Sequence, residues 1–181
     1  MKQKEIFLQS EGNAWFTRNH EGVAARKLPD DDPLLCEIID IYNYTGGVKV
    51  LEIGCGDGTR LAWLKDSLNV DCYGIEPSAQ AVAAACAKGL NVQQGTADVL
   101  PFEDQSFDIV IFCFCLYLCD REDLFRIASA ADRVLRAPGW LMILDFFSPV
   151  PHAKTYPIGP GCKVTKWITA HCSIGTPIMR V

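Results

Sequence analysis

From residue 48 to residue 147 the chain switches repeatedly between two apolar periods. Residues 48–54 (VKVLEIG), 71–77 (DCYGIEP), 91–97 (NVQQGTA), 106–114 (SFDIVIFCF) and 140–147 (WLMILDFF) are short runs that predict strands. Segments with helical spacing separate them. Leu61, Leu64 and Leu68 recur along residues 58–68. Residues 78–89 are alanine-rich, opened by the capping side chain of Ser78 and stopped by Gly89, and residues 120–139 form a long amphipathic stretch. Strand–helix alternation with strands too apolar to face water predicts an α/β fold. Its core is a doubly wound, mostly parallel sheet with helices on both faces.

Upstream, Asp32 before Pro33 marks a helix start, because proline fits the first helical position and an acid suits the positive end of the helix dipole. Leu34, Leu35, Ile38, Ile39, Ile41 and Tyr42 give this helix its apolar stripe, and Gly46–Gly47 ends it. Residues 1–30 are polar with embedded aromatics and read as an N-terminal arm or flap. Residues 31–157 then form one α/β domain, and residues 158–181 an atypical tail.

Composition narrows the choice of partners. With 181 residues, 49% hydrophobic and 22% charged, the chain can bury one core. A formal net charge of −5 argues against a broad basic face for nucleic acid or an anionic membrane. No apolar run reaches the about 18 residues of a membrane span, and MKQKEIFLQSEG lacks the apolar stretch of a secretory leader, so a cytoplasmic protein is expected. The nine cysteines include no CxxC pair. Cys113, Cys115 and Cys119 sit in the apolar run IVIFCFCLYLC, where thiols serve as small hydrophobes, and no metal site is expected.

The chemistry concentrates in VLEIGCGDG, residues 50–58. Gly54, Gly56 and Gly58 fall where a strand turns into a helix, which lets backbone approach a ligand closely. The spacing is GxGxG, with Thr59 where the dinucleotide fingerprint needs its third glycine. Glu52 precedes the loop; it would repel a pyrophosphate but can hold a cationic amine. Glu76, 22 residues beyond Gly54, is placed to accept both hydroxyls of a ribose. Asp98 follows the third strand and can accept a hydrogen bond from an exocyclic adenine amine. Three acids at successive strand ends, without a basic cluster, describe a pocket for a nucleoside that carries no phosphates.

VLEIGCGDG, GIEPS, GTADVLPFEDQSFDIVIF and LRAPGWLMILDF resemble, in order and spacing, the successive motifs of class I S-adenosylmethionine-dependent methyltransferases. The resemblance implies S-adenosylmethionine as cofactor. It puts the loop of Glu52, Gly54, Cys55, Gly56 and Gly58 beneath the methionine part, Glu76 and Pro77 at the ribose, and Asp98 and Val99 at the adenine. Phe112, at the end of the fourth strand, would lie beside the methionine moiety. FLQSEGNAWFTRN and FCFCLYLCDREDLF are similar to a subgroup of small methyltransferases often associated with surface-polysaccharide gene clusters. The implied reaction is methyl transfer to a small-molecule or sugar acceptor, by a protein that could form a homodimer.

A sulfonium brings its own leaving group, so alignment can supply much of the rate and no catalytic residue is assigned. His152 could deprotonate an acceptor hydroxyl or be a surface histidine; Tyr117 could contact the acceptor or pack in the core. Trp15, Phe16, Arg18 and Asn19 could form a flap with Arg18 on the cofactor's carboxylate, or remain a loose arm. A non-catalytic cofactor-binding remnant and a nicotinamide-dependent oxidoreductase are the alternatives, with Thr59 and Glu52 counting against the second. The family's sheet normally has seven strands, the last two a hairpin. The 33 residues after Ser148 lack a clear alternating pattern, so that hairpin is expected to be missing. Reading the codons of residues 163–169 from their third base permits SYKMDY, with the aspartate forced, and resembles the subgroup's tail. Residues from about 158 onward are therefore expected to be an out-of-frame translation.

Overall fold

In the computed structural model, residues 2–146, 150, 152–159, 162–168 and 178–180 are described. Helix α1 (Gln3–Ile6) runs through one π turn, Phe7–Glu11, into α2 (Gly12–Ala24). These helices stand where the sequence predicts only an arm. Their apolar side chains do not form one stripe because several of them line a cleft instead of the core, while Ile6 and Phe7 are buried. Helix α3 (Pro33–Thr45) begins as predicted: the Asp32 carboxylate accepts from the Leu34 and Leu35 N–H groups at 3.1 and 3.3 Å.

The central sheet contains β1 (Lys49–Ile53), β2 (Asp71–Glu76), β3 (Asn91–Gln94), β4 (Phe107–Cys113) and β5 (Leu135–Leu144), all parallel in the order β3-β2-β1-β4-β5. Helices α4 (Thr59–Leu68), α5 (Ala79–Ala87) and α6 (Leu124–Val134) connect them. Side-chain alternation along each strand splits the interior into two cores. Val50, Ile109 and Ile111 pack with Leu34, Leu35, Ile38, Leu61 and Leu64 on the α3–α4 face. Leu51, Ile53, Val110 and Phe112 pack with Ile127, Ala131 and Val134 on the α6 face. Helix α6 stops at Val134, short of the predicted Gly139, and β5 opens with Leu135 paired to Phe107 before the register slips to Ile109 opposite Trp140. Pro138 lacks the N–H that a continuing helix would use, whereas an irregular strand start tolerates it.

The hairpin expected to be missing is the one that closes the family's central sheet; the tail does form strands, placed otherwise. Strands β6 (His152–Gly159) and β7 (Cys162–Ile168) pair antiparallel as a separate two-stranded sheet, and β8 (Ile178–Arg180) pairs antiparallel with Trp140–Met142 of β5. A hairpin needs complementary backbone ladders more than strict alternation, and Pro157, Gly159 and the lysines Lys154, Lys163 and Lys166 hide it from periodicity. It stands outside the central sheet. Among the described residues no helix is long and apolar enough to cross a membrane.

Candidate functional site

Chain order reverses between β1 and β4, and at such a switch point the connections diverge and leave a crevice at the carboxyl ends of the strands. A cleft opens there, lined by the loop after β1, the end of β2, the loops after β3 and β4, and the N-terminal helices. Two glycines of the β1 loop are required by geometry. Gly54 has φ +77°, and a Cβ there would sit 2.8 Å from the Cys115 Cβ; Gly58 has φ +69°, and its Cβ would fall 2.5 Å from Leu90 Cδ1. Gly54, Cys55 and Gly56 line the cleft, while Gly58 caps α4 and lets it pack against Leu90.

Glu76 closes β2 against this loop. Its two oxygens accept from the Gly56 and Ser78 N–H groups, each at 2.9 Å, so the carboxylate ties the glycine loop to the start of α5. Burial pushes its carboxyl above the usual range, with both N–H groups opposing. Each oxygen keeps further acceptor capacity, and the residue lines the cleft with Pro77.

Asp98, in the loop after β3, accepts the Thr96 hydroxyl at 2.8 Å and is ion-paired to Lys4 of α1. Lys4 also reaches Asp123 at 3.0 Å, and Lys2 bridges Asp123 and Glu122 at 3.1 and 2.9 Å. Burial opposes ionisation of Asp98, but the Lys4 and Thr96 hydrogen bonds hold its carboxyl below the usual range. The N-terminal helices are thereby fastened over one side of the cleft. Trp15 and Phe16 line it as a flap requires, but Arg18 pairs with Glu11 at 2.5 Å and Asn19 donates to the Trp15 carbonyl at 2.7 Å.

The strand parity that sends Val50 to the α3–α4 face sends Glu52 there too. It meets Arg60 of α4, which is only 7% exposed and also pairs with Asp32 at 2.8 Å. Glu52 Oε1 takes the Arg60 guanidinium; Oε2 is buried without a hydrogen-bond partner among the described residues. Burial, only partly offset by Arg60, pushes the Glu52 carboxyl up to about 7.

Glu52, Gly54, Cys55, Gly56, Glu76, Pro77 and Asp98 thus converge on one cleft. Three expected positions lie elsewhere, Gly58 at the cap of α4 among them. Val99 is 64% exposed outside it, and Phe112 is buried in the α6-face core, because alternation along β4 turns Cys113 toward the cleft instead. Phe114, held at φ +49°, lines the cleft just beyond. Tyr117 packs edge-on against Phe146 with centroids 4.9 Å apart, its N–H donating to Asp145 at 3.1 Å. His152 opens β6, and its side chain lies outside the described residues. Sequence reasoning missed Lys4, Arg60 and Phe114. Arg60 had a signal: it neighbours Leu61 on the buried side of its helix, where an unpaired arginine is not tolerated.

Known proteins agree with this geometry. Residues 36–130 match the family model described as methionine biosynthesis protein MetW. The uncharacterized methyltransferase YcgJ of Bacillus subtilis is 32% identical over 143 residues, which is 74% of this chain and 54% of YcgJ. Its crystal structure superposes with a TM-score of 0.53 at 31% identity, over 63% of this chain and 50% of that one. The probable phthiotriol/phenolphthiotriol dimycocerosates methyltransferase 2 of Mycobacterium ulcerans is 29% identical over 156 residues, 80% of this chain and 55% of the relative. The chain therefore spans about half the length of the curated relatives it matches. On the family match, and on a switch-point cleft ringed by acids where its relatives are methyltransferases, the chain belongs to the MetW family among the class I S-adenosylmethionine-dependent methyltransferases.

Proposed function

We propose that this protein transfers the methyl group of S-adenosylmethionine to a small-molecule acceptor. The observation that carries the proposal is the buried, unpartnered Oε2 of Glu52 at the cleft, because an orphaned carboxylate oxygen is complementary to a cationic amine. The other acids fit the same group. Glu76 has acceptor capacity for ribose hydroxyls, Asp98 for an adenine amine, and the Gly54–Gly56 turn admits close backbone approach. When bound, the cofactor supplies an electrophilic methyl on a positively charged sulfur. The chain itself would bind and align: Glu52 holds the amino end, Glu76 the ribose, Asp98 the base, while Trp15 and Phe16 exclude water from one side.

Phe7, Trp15, Phe16, Val23 and Leu28 give the cleft an apolar wall on the N-terminal side. Such a wall suits an acceptor with an apolar body, or a sugar stacked through one face on an aromatic ring. The description of the matched family, methionine biosynthesis, supports a small-molecule acceptor over a macromolecular one. No catalytic base is assigned.

Thermal melts test the assignment. S-adenosylmethionine and S-adenosylhomocysteine are expected to raise the melting temperature by mass action, about 2.7 kcal/mol at a hundredfold excess over Kd, and NAD to leave it unchanged. Equal stabilisation by NAD, or none by either adenosyl compound, defeats the proposal. Transfer is then scored with labelled cofactor against cell-extract fractions.

A further inference from the structure

We propose, on the assignment of the cleft to S-adenosylmethionine, that Arg60 is a positioning residue which, gripped between Asp32 and Glu52, leaves one Glu52 oxygen and one net negative charge to select a ligand with a cationic amino end. The grip is built from a fixed base. Asp32 uses Oδ1 to cap α3, whose first residues Leu34 and Leu35 are fully buried, so the carboxylate cannot swing. Its Oδ2 receives Arg60 Nε at 2.9 Å, with Nη2 at 2.8 Å. Nη2 also lies 3.2 Å from Cys113 Sγ, and Nη1 donates to Glu52 Oε1.

A planar guanidinium held on both edges dictates where the Glu52 carboxylate lies, which a flexible ammonium cannot do. The consequence is the orphaned Oε2. With Glu52 ionised, two carboxylates and one guanidinium leave the cluster one negative charge, and none of the three is more than 7% exposed. The groups facing Glu52 are Arg60 from α4, Asp32 at the α3 cap, Glu76 at the end of β2, Cys55 after β1, Cys72 from β2, Cys113 from β4, and Arg26 after α2. Arg60 and Arg26 favour its ionised form, whereas Asp32, Glu76 and burial oppose it. The last three outweigh the arginines and hold the Glu52 carboxyl at about 7.

The test compares two ligands that share the adenosyl part. S-adenosylhomocysteine carries the amino-acid end and 5′-methylthioadenosine lacks it, so their ratio of Kd values cancels whatever Glu76 and Asp98 contribute. In the wild type, calorimetry should show this ratio moving about ninefold in favour of S-adenosylhomocysteine between pH 6 and pH 8, as a group titrating near 7 goes from about one-tenth to about nine-tenths ionised. Arg60→Lys is expected to weaken S-adenosylhomocysteine roughly tenfold at pH 7.5 with 5′-methylthioadenosine unchanged. Asp32→Asn, which keeps a capping oxygen but removes a charge and turns an amide N–H toward the Arg60 donors, should shift the midpoint to lower pH. A ratio independent of pH in the wild type overturns the proposal, as does one unaltered in Asp32→Asn, or equal losses for both ligands in a folded Arg60→Lys. Failure of both ligands to bind removes the cofactor assignment and this inference with it.

Discussion

Glu76 serves the fold and the ligand with the same two oxygens. By accepting from Gly56 and Ser78 at 2.9 Å it anchors the glycine loop, so it cannot be removed as a pure ligand contact. Glu76→Ala should cost about 2–3 kcal/mol of stability, from two buried N–H groups left without an acceptor, and should weaken adenosyl binding ten- to a hundredfold. Glu76→Gln, which keeps one carbonyl acceptor, should recover most of the stability and less of the affinity. Denaturant melts and calorimetry on the two variants check this; loss of affinity without loss of stability in Glu76→Ala would show that the loop is anchored elsewhere. At this scale the acids were legible because strands end in predictable places and glycines punctuate the turns. Their partners were not. Lys4 lies 94 residues from Asp98, and Arg60 joins two acids from different elements, pairings that no local period encodes. Phe112 was misplaced by one position, and in a strand one position is the opposite face.

The N-terminal helices are the element that the sequence least disclosed. Helix α1 is the first turn of the continuous helical run 3–24, an end that frays unless it is held, so its order comes from tertiary partners. Lys2 and Lys4 fix it to Asp98, Asp123 and Glu122, and Asn13 fixes α2 to α5 by accepting from Ser78 Oγ at 2.8 Å and the Gln80 N–H at 3.1 Å. By contrast α3, α4 and α5 were legible, since their caps and apolar faces are written into contiguous residues. Cutting the main staple should loosen the wall it holds. Lys4→Gln is expected to cost about 1–2 kcal/mol, to speed hydrogen exchange through residues 3–24, and to accelerate adenosyl-ligand dissociation severalfold. The sign with pH follows from Asp98 and Asp123, whose carboxyls are both held below the usual range. The staple is fully present above the ordinary aspartate value of 3.8 and is lost as pH falls through the depressed ones, so mild acid should leave it closed. Unchanged exchange in Lys4→Gln would show that the Lys2 pairs and Asn13 suffice to hold the wall.

At the scale of the whole molecule, the doubly wound core follows from patterning that any reader of the chain can see, because each strand is a contiguous apolar run and each crossover is local. The tail is where pattern and fold part. Among the described residues the outer side of β5 is paired along Trp140–Met142, by β8, and the β6–β7 hairpin forms its own two-stranded sheet instead of extending the central one. The hairpin leans on the turn at Leu116–Leu118 instead of on the sheet, and a ten-residue strand with three outer-edge positions partnered among the described residues presents a template for association. We propose from the third-base reading of residues 163–169 that the tail is translated out of frame, which would account for this arrangement, since such a segment keeps no selected complementarity to the sheet edge. It predicts that the gene, resequenced across codon 158, contains a frame change, and that the source cells hold a protein of different intact mass from 20.0 kDa. A frame-corrected chain should then melt at higher temperature, sediment with less self-association, and keep the same adenosyl affinity, because residues 48–98 are untouched. An uninterrupted frame through Val181 and a native mass of 20.0 kDa would dispose of the shifted frame. The detached hairpin would then be the native device of this chain, and deleting residues 152–168 should change association without changing cofactor binding.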